Sequence, residues 1–168
     1  MVIIITMFKF FLYISLCVSL IYYSFATIEN PRLEVLGVGE YCIYSTQEVV
    51  SEFITKRIET GIGYIYYCSS DAAEKVRALF NKIDGESIKL YIENHGRQWQ
   101  SQLDDILQKL DYHYHKISET YDGIIRIYYA YSNRVKDFIN IGKDKINLQI
   151  AQRGDVIVIG WPVILGSY

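Results

Sequence analysis

The chain has 168 residues, of which 51% are hydrophobic and 21% charged, so it can bury a sizeable core and is not a disordered polypeptide. Lys and Arg total 17 against 19 Asp and Glu, which gives a formal net charge of -2. Because binding to nucleic acid depends largely on basic side chains that neutralise phosphates, this balance argues against a nucleic-acid partner.

The first 26 residues form an apolar segment with a single charge, Lys9. Residues 10–21 are all apolar apart from two serines, and Ser24 and Ala26 are small residues three and one before a cut after position 26. This pattern is typical of a secretory signal peptide, and the same segment left uncleaved would be an N-terminal membrane anchor. Either way we expect an extracytoplasmic protein, secreted or held at the cytoplasmic membrane by this segment.

The region after the leader is expected to contain a linker over 27–33 and one domain over 34–168. Ser45 followed by Glu48 forms a capping box, which predicts a helix that ends at Gly61. In chain order, alternation and helical periodicity predict a strand over 35–44, a helix over 45–61, a strand over 62–68, a helix over 71–84 and a strand over 87–93.

The second half of the chain is dominated by hairpin signals. The Asp122-Gly123 pair predicts a tight turn between two strands, and Gly154-Asp155 predicts another. The elements predicted here are a helix over 98–110, strands over 112–118 and 123–131, a short helix or irregular link over 133–142, and strands over 146–152 and 156–159. Mixed helices and hairpins predict an α+β fold with a mostly antiparallel sheet.

Residues suited to chemistry are scattered in the sequence. His113 and His115 are two apart on a predicted strand and would share one face, but a zinc site needs three or four ligands. Asp104, Glu119 and Asp122 are carboxylates without an evident partner for acid–base catalysis. We therefore expect no catalytic residue, no metal site and no cofactor.

Cys42 and Cys68 fall in two neighbouring predicted strands. An oxidising exterior would permit a disulfide between them, although two buried, inert thiols are the favoured interpretation. The sequence leaves this choice open.

The closing stretch carries a pattern of seven separated residues, namely Lys145, Asn147, Ala151, Arg153, Gly160, Pro162 and Tyr168. This pattern resembles the YwmB family, a group of exported proteins of spore-forming Gram-positive bacteria that are described as TATA-box-binding-protein-like. The resemblance covers roughly residues 70–168. It departs from the family at Trp161, where a Thr is usual, and in a shorter N-terminal half.

The resemblance implies a TATA-box-binding-protein-like fold and a role in envelope or sporulation biology. With the leader, it predicts a non-catalytic extracytoplasmic binding or assembly protein with an unidentified envelope or protein partner. The expected binding surface is a sheet face or groove lined by Tyr128, Tyr129 and Tyr131, because aromatic side chains offer large contact areas. The alternative is an enzyme that acts on a cell-envelope polymer, which would require the carboxylates and the His pair to converge in one cleft.

Overall fold

The computed structural model describes residues 30–92, 98–110 and 114–166. Two helices and ten strands are present in these residues, together with two 3-10 turns at Leu33–Leu36 and Ser70–Ala72. The helices are α1 (Ala73–Arg77) and α2 (Trp99–Lys109). The strands are β1 (Gly39–Ser45), β2 (Lys56–Thr60), β3 (Gly63–Ser69), β4 (Gly85–Tyr91), β5 (His115–Tyr121), β6 (Arg126–Tyr131), β7 (Ile139–Ile141), β8 (Asp144–Ile146), β9 (Leu148–Arg153) and β10 (Val156–Trp161).

Eight of the strands form one sheet in the order β2-β3-β1-β4-β10-β9-β6-β5, and every neighbouring pair is antiparallel. Strands β2 and β5 are the two edges. Strands β7 and β8 form a separate hairpin. The prediction of an α+β fold with a mostly antiparallel sheet is confirmed.

One side of the sheet, the helix face, carries the main hydrophobic core. Neighbouring strands align Tyr41, Ile88 and Ile159 in a row on this face. These three side chains are fully buried and cluster with Val76 of α1 and Leu103 of α2. Both described helices thus cover this side, while the central strands β4, β9 and β10 are buried at most positions on both faces.

The opposite side, the outer face, is covered at its centre by residues 162–166. The backbone N–H of Ile164 donates to Gln149 Oε1 at 3.1 Å, and that of Leu165 donates to Ser87 Oγ at 2.7 Å. Both acceptors are buried polar side chains of the sheet. The segment after β10 therefore folds back over its own sheet, which explains why Gln149 is buried on the side of β9 opposite Leu148.

The predicted helix over 45–61 is wrong. Ser45 Oγ does accept a hydrogen bond from the Gln47 N–H at 3.1 Å, but its own hydroxyl donates to the Lys82 carbonyl, and Glu48 pairs with Arg57 at 2.6 Å instead of reaching back to Ser45. The region is rich in β-branched residues, which lose side-chain freedom in a helix. Its second half forms β2. Pairing with β2 gives the backbone N–H and C=O groups on the free side of β3 hydrogen-bond partners, which a helix in this place could not supply.

Other predicted elements differ in length. The helix expected over 71–84 is a 3-10 turn followed by the five residues of α1. After α1 the chain tightens, because the carbonyls of Val76 and Arg77 each accept a hydrogen bond from the backbone N–H three residues later. The ring of Phe80 then lies with its centroid 5.1 Å from that of Tyr66. The strand expected from 35 begins at Gly39, after the 3-10 turn. The link over 133–142 contains β7 instead of a helix.

The predicted leader, residues 1–26, lies outside the described residues, as do His95, His113 and Tyr168. Within the described ranges, neither helix has the length and apolar character needed to span a bilayer.

Replacing Gly160 with Ala tests whether residues 162–166 are packed against the sheet. A Cβ at position 160 would lie 2.3 Å from the backbone nitrogen of Ile164, so the segment has to move. We expect the free energy of unfolding to fall by about 1–3 kcal/mol, measured by chemical denaturation. Gly61→Ala is the matched control, because a Cβ there meets nothing within 4 Å, and equal losses in the two variants would contradict the packing described.

Candidate functional site

A groove of about 230 Å³ lies at one end of the sheet, between the start of α2 and the β5–β6 hairpin. We call it the aromatic–arginine groove, and its lining residues are Trp99, Tyr121, Ile124, Arg126, Gln152 and Gly154. The register explains this grouping, because Tyr121 of β5 pairs with Arg126 of β6, which in turn pairs with Gln152 of β9. Trp99 is the first residue of α2.

Arg126 is held between two aromatic rings. Its guanidinium carbon lies 4.7 Å from the ring centroid of Tyr121 and 5.8 Å from that of Trp99. Cations placed over aromatic faces at such distances are attracted by the ring quadrupole. The three side chains therefore form a stacked unit with little freedom to rearrange.

The carboxylate of Glu119 holds Trp99 and Arg126 of this stacked unit in place. Its carboxylate accepts from Lys116 Nζ at 2.6 Å, from Trp99 Nε1 at 2.9 Å and from Arg126 Nη1 at 3.1 Å. The hydrogen bond from Lys116, helped by those from Arg126 and Trp99, holds the pKa of Glu119 below its ordinary value. A carboxylate engaged in this way is a fixed anion that positions its neighbours, not a proton donor at neutral pH.

The open walls of the groove are suited to contact with a ligand. Tyr121 is 60% exposed and Ile124 66% exposed, so a ring face and an aliphatic side chain remain uncovered beside the fixed guanidinium. Gln152 is oriented by a 2.9 Å hydrogen bond from its Nε2 to Gln102 Oε1. The groove thus combines apolar contact area with polar groups already in place, as small ligand sites do.

The carboxylates considered from the sequence do not meet in this groove. Asp122 sits in the β5–β6 turn and accepts from the backbone N–H groups of Ile124 and Ile125 at 2.9 and 2.7 Å. Asp104 is exposed on α2, where Gln100 donates to it. Burial first, then the charges of Glu119 and Asp104, raise the pKa of the Tyr128 hydroxyl.

The predicted aromatic surface of Tyr128, Tyr129 and Tyr131 does not exist as one surface. Tyr128 is buried on the helix face, whereas Tyr129 and Tyr131 are half-buried on the outer face. Consecutive residues of a strand point to opposite sides, so the first two could not line one site. His115 pairs with Tyr131 and lies away from Glu119.

Most signature residues of the closing stretch have structural roles here. Asn147 is fully buried, and its side chain accepts from the Ser132 N–H at 2.8 Å and donates to the Ser132 carbonyl at 2.7 Å. Gly160 lies under residues 162–166, Ala151 is buried in β9, and Pro162 follows directly after β10. Lys145 and Arg153 are exposed, with Lys145 Nζ 4.4 Å from the Phe138 ring centroid.

A second polar cluster lies under α1, away from the groove. Glu86 is fully buried and accepts a hydrogen bond from the Tyr41 hydroxyl, while Arg77 Nε lies 3.1 Å from Glu86 Oε1 in a contact too poorly aligned to be a hydrogen bond. Arg77 Nη1 also binds Glu34 at 3.0 Å. Burial raises the pKa of Glu86 to about 7, although Arg77 and the hydrogen bond from Tyr41 both act to lower it.

Cys42 and Cys68 are free thiols. Cys42 pairs with Tyr67 and Cys68 with Tyr41, so the cysteines are one register position apart and point to opposite faces of the sheet. Burial raises the pKa of each to about 12, which keeps both protonated. A disulfide between them would require β1 or β3 to reverse which of its side chains face each side of the sheet.

Sequence reasoning missed the groove itself. In the sequence, Trp99 falls in the helix predicted over 98–110 and Arg126 in the strand predicted over 123–131, and no motif joins the two residues. The signal that could have found the site is the Asp122-Gly123 turn, because a hairpin closed there brings Tyr121 and Arg126 opposite each other. Among the described residues, no three His, Cys, Asp or Glu side chains are grouped to hold a metal ion.

Comparison with models of known protein families and with curated proteins finds no match for this chain.

Asn147→Ala tests the structural role of the first signature residue. The change leaves the N–H and C=O of Ser132 buried without their partner, which costs about 1–3 kcal/mol. Thermal and chemical unfolding should show this loss. Asn140→Ala, at an exposed position of β7, is the control and should stay within about 0.5 kcal/mol of the parent, so similar losses in both would contradict the role assigned to Asn147.

Glu86 predicts a specific pH dependence of stability. Because its pKa is about 7 in the folded protein against 4.5 ordinarily, folding favours its protonated form. Its contribution to the free energy of unfolding is therefore complete below about pH 4.5 and is lost as the pH rises through about 7. The lowered pKa values of Glu119 and Asp122 act below this window.

The measurement is the free energy of unfolding at several pH values for the parent and for Glu86→Gln. Glutamine keeps the shape and a hydrogen-bond partner for Tyr41 but does not titrate. The free energy of unfolding of the parent should fall relative to that of Glu86→Gln as the pH rises from about 5 to about 8. A constant difference across that range would show that Glu86 does not titrate there.

Proposed function

We propose that this chain is a non-catalytic binding protein that acts outside the cytoplasmic membrane and holds a component of the cell envelope in the aromatic–arginine groove. The observation that carries the proposal is the stack of Trp99, Arg126 and Tyr121 on one fixed carboxylate. A site whose side chains are ordered before the ligand arrives loses little entropy on binding. The exposed Tyr121 and Ile124 supply the contact area.

The same contacts favour binding over catalysis. Glu119 is engaged by three donors and its pKa is lowered, whereas a general acid needs a raised pKa and an open path to the substrate. Asp122 is committed to its turn. The alternative of an enzyme acting on an envelope polymer therefore has weaker support from the groove.

The extracytoplasmic location rests on the leader pattern of residues 1–26. The resemblance of the closing stretch to the YwmB family adds a TATA-box-binding-protein-like arrangement and a role in envelope or sporulation biology to the proposal. What supports this part of the proposal in the fold is one eight-stranded antiparallel sheet with both described helices on one side.

The two tryptophans of the chain provide a direct assay. Trp161 is fully buried, whereas Trp99 is half-buried at the groove, so a ligand there should alter the emission of Trp99 and its quenching by acrylamide. We expect a saturable change when the full-length chain is titrated with soluble fragments of purified cell wall. Tyr121→Ala should weaken binding by about tenfold, as loss of an aromatic anchor does.

Tyr91→Ala is the matched control, since Tyr91 is a comparably exposed aromatic residue that lies on the outer face of β4. It should bind like the parent. An equal loss in both variants, or no saturable change with cell-wall fragments, would count against the groove as the binding site.

A further inference from the structure

The edge of the sheet at β2 lies at the opposite end from the groove and is bordered by exposed apolar side chains. Ile62, in the turn that joins β2 to β3, is 80% exposed, and Val50, in the loop before β2, is 88% exposed. Ile58, at the middle of the strand, is 36% exposed. These exposed apolar side chains therefore occur along the whole edge, from the loop before β2 to the turn that follows it.

The strand itself is unpaired on its outer side. Since β2 is hydrogen-bonded only to β3 within the described sheet, the backbone N–H and C=O groups of alternate β2 residues face outward. An edge of this kind pairs with another strand unless its side chains prevent it. The residues of β2 are Lys56, Arg57, Ile58, Glu59 and Thr60.

The charges of β2 are complementary to the same strand reversed. When two copies run antiparallel about Ile58, Arg57 of each stands opposite Glu59 of the other, and Lys56 stands opposite the neutral Thr60. No directly opposite pair has like charges. Charged edge residues usually oppose association, but opposite charges placed directly across a ladder favour it.

The same alignment accounts for the exposed Ile62. Since Thr60 of one copy stands opposite Lys56 of the other, the β2–β3 turn that carries Ile62 lies next to the loop that leads into β2 of the second copy. Ile54 lines a groove of about 330 Å³ beside β2, together with Val49, Val50, Ser51, Thr55, Lys56 and Arg57. The apolar tip of one hairpin would therefore meet the apolar groove of the second copy.

We propose that β2 pairs with β2 of a second copy of this chain, antiparallel and centred on Ile58. The two eight-stranded sheets then continue into one another. Each copy contributes a five-residue strand and one groove, so the interface belongs to the small class of interfaces that form weak, concentration-dependent dimers. The proposal does not depend on what the aromatic–arginine groove binds.

The other edge strand is less suited to such pairing. Strand β5 has an irregular register between Lys116 and Ser118, which breaks its ladder. If two copies of β5 paired antiparallel about Ser118, Ile117 of one copy would stand opposite Glu119 of the other. An apolar side chain would then face a carboxylate in each such pair.

Disulfide trapping in the full-length chain tests the register. In the proposed pairing the Cβ atoms of the two Ile58 residues lie roughly 4.5–5.5 Å apart, close to what a disulfide needs, whereas the two Thr60 residues are separated by about 14 Å. Ile58→Cys should therefore give a covalent dimer on mild oxidation, at least about tenfold more than Thr60→Cys. The parent, with its three native cysteines, sets the background.

Charge reversal tests the complementarity. Arg57→Glu and Glu59→Arg are each combined with Ile58→Cys. Either charge reversal places like charges opposite each other between two identical copies, so each variant should form no covalent dimer when it is oxidised alone. When the two variants are mixed with tags of different size, opposite charges meet again, and the mixed dimer should return. Lys143→Glu, at the exposed β7–β8 turn, is the control and should cross-link like the parent Ile58→Cys chain.

The pairing is overturned by equal trapping at positions 58 and 60, by no trapping at either, or by mixed variants that cross-link no better than the separate ones. Circular dichroism and thermal unfolding of each variant show whether it is folded. The exposed Arg57–Glu48 ion pair that is lost in Arg57→Glu contributes little, so folding should be retained.

Discussion

The register of β4 is the constraint on which the rest of the fold depends. This strand pairs with β1 on one side and with β10 on the other, and so joins the N-terminal hairpin region to the C-terminal strands. Side chains alternate with a period of two, so a shift of one residue would turn Ile88 away from the helices and bring Lys89 into the core. The buried row of Tyr41, Ile88 and Ile159 exists only in the observed register.

This register also places a carboxyl group inside the protein. Glu86 stands on the helix face two residues before Ile88, and it is tolerated because Tyr41 and Arg77 lie against it. A buried ion pair is weak evidence for stability, since desolvation offsets most of the attraction. Its effect here is on arrangement, because Arg77 joins Glu86 of β4 to Glu34 of the first 3-10 turn and so ties that turn to α1 and the sheet.

The sequence predicted the second half of the chain better than the first, for a physical reason. The β5–β6 and β9–β10 hairpins are specified locally by Asp-Gly and Gly-Asp turns and by alternation, and α2 by a clear helical period. The region of Ser45 to Gly61 depends on a distant requirement instead. Local capping favours a helix there, but β3 needs a partner strand, and that need is not visible in a window of ten or fifteen residues.

The candidate groove was hidden for a related reason. Its contacts join Trp99 to Glu119 across 20 positions and Gln102 to Gln152 across 50, so no single segment contains the pattern. Asn147 shows the opposite case. The family resemblance singles it out in the sequence, but its hydrogen bonds go to the backbone of Ser132, so it holds the chain after β6 in place. Noticing a residue in a sequence does not separate a binding role from a structural one, whereas its hydrogen-bond partners do.

The aromatic–arginine groove and the β2 edge lie at opposite ends of one eight-stranded sheet, and this separation has a consequence for binding. A dimer formed through β2 would leave both aromatic–arginine grooves free, each at the far end of its own sheet. A repetitive envelope polymer that reached both grooves would bind the second one at a high effective concentration, so modest affinity at a single small groove would suffice. A monomeric ligand would gain nothing from the second groove, which makes polymers with repeated units the ligands favoured by such an assembly.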